Sequence, residues 1–112
     1  MEYDIKIDRF GNKFYSVNNL LHRENGPAIE YSNGGKEWYK NGHLHREDGP
    51  AVEFFDGEKR WYKNGERHRE DGPAIEWANG YKFWYLNNEC YGKDEDFTNE
   101  SWKTFVKTLI FL

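Results

Sequence analysis

The sequence predicts a small all-β protein in which tandem 23-residue β-hairpin repeats form one elongated, twisted antiparallel sheet, capped by a C-terminal α-helix. Three observations predict this fold: a strict internal period, a tight-turn dipeptide in each copy and an aromatic-rich composition. Gly-Pro-Ala begins at residues 26, 49 and 72, and His-Arg-Glu begins at residues 22, 45 and 68, with no insertions between copies. A fixed period of this length is typical of arrays in which each unit packs on its neighbours.

Each copy is predicted to form two strands around a turn. In the central copy the turn is Asp56-Gly57. An Asp-Gly or Asn-Gly pair between β-forming residues is typical of a two-residue type I′ hairpin, because both central residues need positive φ. That loop places Val52 opposite Trp61 and Phe54 opposite Lys59, so these four side chains share one packed face, with the lysine over the aromatic ring. The second face is predicted to point outward.

The array is predicted to end where the repeat pattern breaks, within a single domain. Residues 1–10 read as an N-terminal cap strand, residues 11–92 as the repeats, and residues 93–112 as a C-terminal helical cap. Trp102, Phe105, Val106 and Leu109 fall at helical spacing. Repeat arrays need atypical terminal units to cover the open end. The candidate helix caps are Asp96, Thr98 and Asn99.

Composition limits the classes of ligand. The net charge of −4 and the lack of a polybasic run argue against direct binding to a nucleic-acid backbone or to an anionic membrane surface. Aromatic residues make up 19% of the chain, which argues against disorder. A single cysteine, Cys90, forms no intrachain disulfide, and the N-terminus does not resemble a signal peptide. We therefore expect an intracellular, cytoplasmic protein without a membrane span.

The His-Arg-Glu segments contain residue types suited to acid–base catalysis, yet they recur in three nearly identical copies. An active site is needed once, whereas a structural contact is needed in every copy, so we predict a structural role. The arginine is expected to reach a carbonyl or carboxylate, the glycine to supply an unusual φ, and the proline to start the next strand. The residues given this structural role are Trp38, Trp61, Trp84, His45, Arg46, His68, Arg69, Gly49, Pro50, Gly72 and Pro73.

Other chemistry is weakly indicated. His43 and His45 have a spacing that two metal ligands can use, but no third ligand is evident, and Cys90 has no histidine near it in the sequence. We predict no catalytic residues, no metal site and no cofactor.

Several exposed positions are candidates for binding a protein partner. Tyrosine and phenylalanine recur along the predicted outward face, and this stripe is expected either to bind a partner or to be covered by the terminal helix or a second chain. Acidic pairs recur along one edge, where they could imitate phosphates, and the apolar C-terminal end could form a homodimer through the helix. The candidates are Tyr39, Tyr62, Tyr85, Phe55, Phe83, Glu47, Asp48, Glu70, Asp71 and Phe111.

The repeat resembles a known family. The pattern Trp-x-x-Asn-Gly-x-x-His with a 23-residue period is similar to the MORN repeat, although arginine rather than glycine follows the histidine here. The closer resemblance is to MORN-like proteins of tailed phages and giant viruses that carry His-Arg-Glu-Asp-Gly-Pro-Ala, and it covers residues 11–92. It implies a role in protein association, or sometimes membrane association, and specifically a phage accessory protein acting on a host factor such as a defence protein.

We therefore expect a non-enzymatic module for protein–protein interaction. If phage-encoded, it would act in the host cytoplasm to bind and inhibit a host protein. One alternative is a scaffolding repeat protein associated with a membrane surface. Another is an enzyme that uses one His-Arg-Glu-Asp loop.

Overall fold

The computed structural model describes residues 1–110, and the side chains of residues 1–109. Within these residues fourteen strands, most of them only two residues long, are followed by a 3-10 helix at Asp94–Asp96 and a single α-helix, α1, at Asn99–Ile110. The strands are β1 (Asp4–Ile7), β2 (Lys13–Val17), β3 (Leu20–Leu21), β4 (Ile29–Glu30), β5 (Lys36–Glu37), β6 (Tyr39–Lys40), β7 (His43–Leu44), β8 (Val52–Glu53), β9 (Lys59–Arg60), β10 (Tyr62–Lys63), β11 (Glu66–Arg67), β12 (Ile75–Glu76), β13 (Lys82–Leu86) and β14 (Glu89–Lys93).

The strands confirm the predicted fold class. Nine of them form a continuous antiparallel path, β1-β2-β4-β5-β8-β9-β12-β13-β14, and β3 joins the same sheet beside β2. The extents of 45 × 31 × 18 Å are those of an elongated, thin molecule. The pairs β6-β7 and β10-β11 form two further two-stranded sheets, which the prediction of one sheet did not include.

The Asp-Gly turn is wider than predicted. The backbone N–H of Phe54 donates to the Glu58 carbonyl at 2.9 Å, and that of Gly57 donates to the Phe54 carbonyl at 3.1 Å. The loop therefore has three residues and ends in Gly57, with φ of +98°. This is the loop in which a type I turn is followed by one left-handed residue. The two-residue type I′ loop predicted here is wrong, because Asp-Gly also suits this longer loop.

The wider loop moves the register by one residue. Val52 lies opposite Arg60, and Glu53 lies opposite Lys59, so the predicted pairs of Val52 with Trp61 and Phe54 with Lys59 are wrong. Lys59 also pairs with Glu76 of the next copy, and it therefore lies between two carboxylates rather than over an aromatic ring.

The corrected register places a ladder of alternating charge across one face of the sheet, which we call the ladder face. Opposite-sign pairs facing each other across strands each stabilise a sheet by about 0.2–1 kcal/mol. A slip by one residue would carry every one of these side chains to the other face. The turns set the strand register, and the charge ladder stabilises it against a slip. Its members, in order across the sheet, are Lys13, Glu30, Lys36, Glu53, Lys59, Glu76 and Lys82.

The second turn of each copy is a two-residue turn. Asn64 and Gly65 have φ of 51° and 82°, as a type I′ turn requires. The chain reaches this hairpin through Trp61, whose N–H donates to the Ala74 carbonyl and whose carbonyl accepts from the His68 N–H. Each copy thus contributes one hairpin to the main sheet and continues at the tryptophan into a second hairpin.

The helical cap packs on the ladder face at Trp84. The Trp84 and Trp102 rings lie 5.5 Å apart, and both side chains are fully buried. The Trp102 indole N–H donates to the Arg69 carbonyl at 2.8 Å. Of the three predicted caps, Thr98 is the one used, since its hydroxyl accepts the Ser101 N–H and the Ser101 hydroxyl accepts the Thr98 N–H. The buried cluster consists of Trp84, Leu86, Trp102 and Val106, with Tyr91, Phe97, Phe105 and Leu109 against it.

Removing the Trp102 ring should strongly destabilise the array. Trp102→Ala leaves a cavity in a fully buried cluster and an unpaired Arg69 carbonyl, so the free energy of unfolding should fall by about 3–5 kcal/mol. Denaturant unfolding followed by circular dichroism measures this change. Phe55→Ala is the control, because that ring is 70% exposed and the loss of a surface side chain should cost about 0.5 kcal/mol or less. An equal fall in the free energy of unfolding in both variants would contradict the role of Trp102 as the centre of the helical cap.

Candidate functional site

The arginine of each repeated segment links two parts of the array. The Arg46 guanidinium lies 3.8 Å from the centre of the Trp38 ring. Its Nη1 donates to the Pro50 carbonyl at 3.0 Å and to the Glu53 carboxylate at 2.9 Å. Charge-assisted bonds and a stacked aromatic ring together hold one side chain in a single position. We call this set of contacts the arginine latch.

The latch repeats in all three copies. Arg23 lies 3.9 Å over the Tyr15 ring and binds Glu30 at 2.7 Å. Arg69 lies 3.8 Å over the Trp61 ring and binds Glu76 at 3.3 Å. The carboxylates are members of the ladder, so each latch ties the loop before a hairpin to the register of that hairpin.

The glycine before each proline has a different role from the one predicted. Gly26, Gly49 and Gly72 do not adopt positive φ. They instead leave room for the guanidinium: a Cβ built on Gly72 would lie 2.6 Å from Cζ of Arg69, and one on Gly49 would lie 2.9 Å from Cζ of Arg46. The expectation of an unusual φ is wrong, because it is the arginine, not the backbone, that a side chain would obstruct.

The histidine of each segment connects one copy to the next. Nδ1 of His45 accepts the backbone N–H of Asn64 at 3.0 Å, in the type I′ turn of the following copy. Because Nδ1 accepts, Nε2 carries the proton and donates to Glu47 at 2.7 Å. This bond is the largest cause that holds the pKa of the Glu47 carboxyl below its usual value. His22 and His68 make the same contacts with Asn41 and Asn87.

The residue types considered above for catalysis or metal binding are either engaged in structural contacts or exposed. Both ring nitrogens of His45 are bonded, and His43 is exposed on β7. Among the described residues, no group of three or more His, Cys, Asp or Glu side chains is arranged to hold a metal ion. Cys90 is exposed, and its sulfur lies 3.5 Å from the Gly92 carbonyl oxygen.

The face opposite the ladder carries the predicted tyrosines, and we call it the tyrosine face. It is built on Tyr39, Tyr62 and Tyr85, which are half-buried. Glu37 accepts hydrogen bonds from the hydroxyls of Tyr39 and Tyr31, at 2.8 and 2.7 Å. Arg67 lies over the Tyr85 ring at 4.4 Å and donates to its hydroxyl. The phenol rings are thus held in place by charged neighbours on the same face.

These bonds change the acidity of the phenols. Burial, and then the hydrogen bond to Glu37, raise the pKa of Tyr31 to about 12. The same causes raise the pKa of Tyr39 further. Both hydroxyls therefore remain neutral donors through the whole range in which ordinary tyrosines ionise.

The tyrosine face is left open by the described part of the helix, because α1 packs on Trp84 while its neighbour Tyr85 points to the other side of β13. Phe83 is half-buried there, beneath Trp77 at 5.5 Å. Phe55 is 70% exposed in the loop after β8. The sequence prediction missed three exposed aromatics near this face, which the corrected register would have found: Phe54, Trp77 and Tyr81.

The predicted acidic edge is exposed but partly neutralised. Glu47 and Asp48 have side chains 71% and 89% exposed, and Glu70 and Asp71 have side chains 52% and 71% exposed. Asp71 binds Arg69 at 2.9 Å. An open groove of about 650 Å³ lies between the segments of Arg23 and Arg46, and a smaller one of about 230 Å³ follows one copy later.

The C-terminal candidates lie at the limit of the described residues. Leu109 is half-buried against the helical cluster. Phe111, and with it residues 110 and 112 of the apolar end predicted to form a homodimer, fall outside the side chains that the structure describes.

The fold, with its ladder face and its tyrosine face, defines a class of protein: an array of β-hairpin repeats closed by a helix. Comparison of the chain with protein-family models, with curated proteins and with solved structures found no match. Within residues 1–110, no helix is both long and apolar enough to cross a membrane.

The latch glycines should differ in their tolerance of alanine. Gly72→Ala should displace the Arg69 guanidinium from Trp61 and Glu76 and lower the free energy of unfolding by about 1 kcal/mol. Gly49→Ala should cost less, and Gly26→Ala should be near neutral, because a Cβ there lies 3.1 Å from Arg23 and alanine also stabilises by restricting the unfolded chain. Denaturant unfolding ranks the three variants. A reversed order would contradict the steric role of these glycines.

Glu37→Gln should lower the pKa values of the phenols that bind Glu37. A raised phenol pKa means that folding favours the neutral form, so its contribution to stability is complete below the usual pKa of 10.0 and is lost as pH rises through about 12. Glu37→Gln removes the anionic acceptor, so the pKa values of Tyr31 and Tyr39 should fall toward the usual value. The ultraviolet absorbance of phenolate measures this on alkaline titration. Glu58→Gln is the control, because that carboxylate binds Arg60 instead. An unchanged titration in Glu37→Gln would refute the assignment.

Proposed function

We propose that this chain is a non-enzymatic protein-interaction module that binds its partner through the tyrosine face. The observation that supports this is the position of the helical cap. The helix covers the ladder face at Trp84, whereas Phe54, Phe55, Trp77 and Tyr81 stay between 40% and 70% exposed. Exposed apolar patches of this kind mark interaction sites on monomeric proteins.

The tyrosine face has physical properties that suit protein recognition. Aromatic rings provide a large contact area with few rotamers to restrict. Glu37 and Arg67 already hold Tyr39 and Tyr85, so binding would order little. The Tyr31 and Tyr39 hydroxyls donate their protons to Glu37, and each keeps an oxygen lone pair that can accept. The matching partner surface therefore presents apolar side chains together with N–H donors.

The repetition of the His-Arg-Glu segment supports binding over catalysis. In every copy the histidine and the arginine engage structural partners at equivalent positions. The second candidate, an enzyme that uses one loop, needs a feature that distinguishes one copy from the others. The larger groove, of about 650 Å³ between the segments of Arg23 and Arg46, is the feature on which that candidate depends.

The identity of the partner is proposed from the sequence resemblance. Proteins with the His-Arg-Glu-Asp-Gly-Pro-Ala signature in phages lead us to propose a phage accessory protein that binds and inhibits a host protein in the host cytoplasm. A scaffold at a membrane surface is the alternative that the same resemblance offers. The net charge of −4 disfavours it, because anionic lipids attract basic surfaces.

Loss of exposed aromatics should weaken partner binding. In affinity capture from the native host, Phe55→Ser combined with Trp77→Ala should lower the affinity for the captured protein by at least about 30-fold, as central aromatic contacts do. Phe10→Ser is the matched control, since that ring is 65% exposed in the turn between β1 and β2. Isothermal titration with the purified partner measures both. Equal binding by all three proteins would refute the proposed surface, and co-sedimentation with liposomes instead would favour the membrane alternative.

A further inference from the structure

The N-terminal strand forms one edge of the sheet, and within the described residues its outer side has no partner strand. β1 pairs with β2 along its inner side. All four of its residues are exposed, including Ile5 at 51% and Ile7 at 66%. An unpaired strand with exposed β-branched residues is a ready template for another strand, and most proteins obstruct such an edge.

Tyr3 holds this edge in place. Its ring packs edge-on against Tyr15 at 5.8 Å, and its hydroxyl accepts the Glu24 backbone N–H at 2.9 Å. Through these contacts the first repeat supports the strand from one face. The edge is therefore an ordered surface rather than a free terminus.

We propose that β1 pairs with β1 of a second copy of this chain, antiparallel and about a two-fold axis at Ile5. In this register Ile5 faces its own counterpart. Asp4 faces Lys6 of the second copy, and Lys6 faces Asp4. Tyr3 faces Ile7, and Ile7 faces Tyr3. Every opposed pair within residues 3–7 is then either apolar or oppositely charged, and the two main sheets become one continuous sheet.

The alternative registers are less favourable. A two-fold axis at Lys6 would place the two lysines directly opposite each other, and like charges facing across strands are destabilising. An axis between two residues would oppose side chains from different faces, which the pleat does not permit. At the ends of the chosen register Glu2 faces Asp8, both acidic, and this limits the pairing to residues 3–7. A lysine on an edge strand normally discourages pairing, but here it finds an aspartate.

Charge reversal separates this interface from any other. Sedimentation equilibrium should show a monomer–dimer equilibrium for the natural chain. Asp4→Lys or Lys6→Glu alone replaces two ion pairs by two like-charge pairs, so the dissociation constant should rise about tenfold. The double variant Asp4→Lys with Lys6→Glu should restore the natural value, and an equimolar mixture of the two single variants should form a heterodimer. Lys107→Glu, an exposed charge on the helix, is the control and should change nothing.

Cysteine cross-linking reports the register. In a Cys90→Ser background, Ile5→Cys places two thiols opposite each other and should give a disulfide-linked dimer on mild oxidation. Ile7→Cys should not, because the two thiols are then about four residues, or ~13 Å, apart along the strand direction. A Lys6→Cys dimer would indicate the other register.

The outcomes are decisive in both directions. Restoration by the double charge variant, together with a cross-linked dimer of the Ile5→Cys variant, supports the proposal. A monomer at all accessible concentrations would overturn it, as would a dimer whose dissociation constant ignores both single reversals. If a dimer insensitive to both charge reversals dissociates in the Leu109→Asp variant, the interface lies on the C-terminal helix instead. Circular dichroism of each variant is the measurement that checks whether its fold is intact.

Discussion

The guanidinium of Arg46 lies between the Trp38 ring and the Glu53 carboxylate, and the rest of the array depends on contacts of this kind. The chain is poor in aliphatic residues, and its sheet is thin. A stacked guanidinium takes the place that a layer of leucine and valine would fill in a larger domain, since it covers an aromatic ring and satisfies a carboxylate at once. The glycine before each proline leaves the space for it, and the histidine beside it ties the loop to the next copy.

The end of the array follows from the loss of one such arginine. Gly92 stands one 23-residue period after Arg69 and lies opposite Trp84, so no guanidinium covers that ring. Trp102 from the helix packs there and also binds the Arg69 carbonyl. The helix is thereby directed to the ladder face. The tyrosine face remains open as a consequence of how the last repeat is closed.

Much of this fold was predictable from the sequence, because the period, the turn dipeptides and the helical spacing after residue 98 are local patterns. The register was not, since Asp56-Gly57 suits both a two-residue and a three-residue loop and the choice moves every side chain by one position. The tyrosines were placed correctly on one face, but Trp77 and Tyr81 were missed with the register. The role of Gly72 was also beyond sequence reasoning, because it depends on where the Arg69 side chain lies in space.

Each repeated contact joins residues at a fixed separation along the chain. Arg46 reaches forward 4 residues to Pro50 and 7 residues to Glu53, and His45 reaches 19 residues to Asn64. None of these links depends on how many copies precede or follow. Duplication or deletion of one whole copy would therefore preserve every latch, every histidine link and the alternation of the ladder. The length of such a protein can change in evolution by single recombination events, each adding or removing one row of tyrosine without any new design of the core.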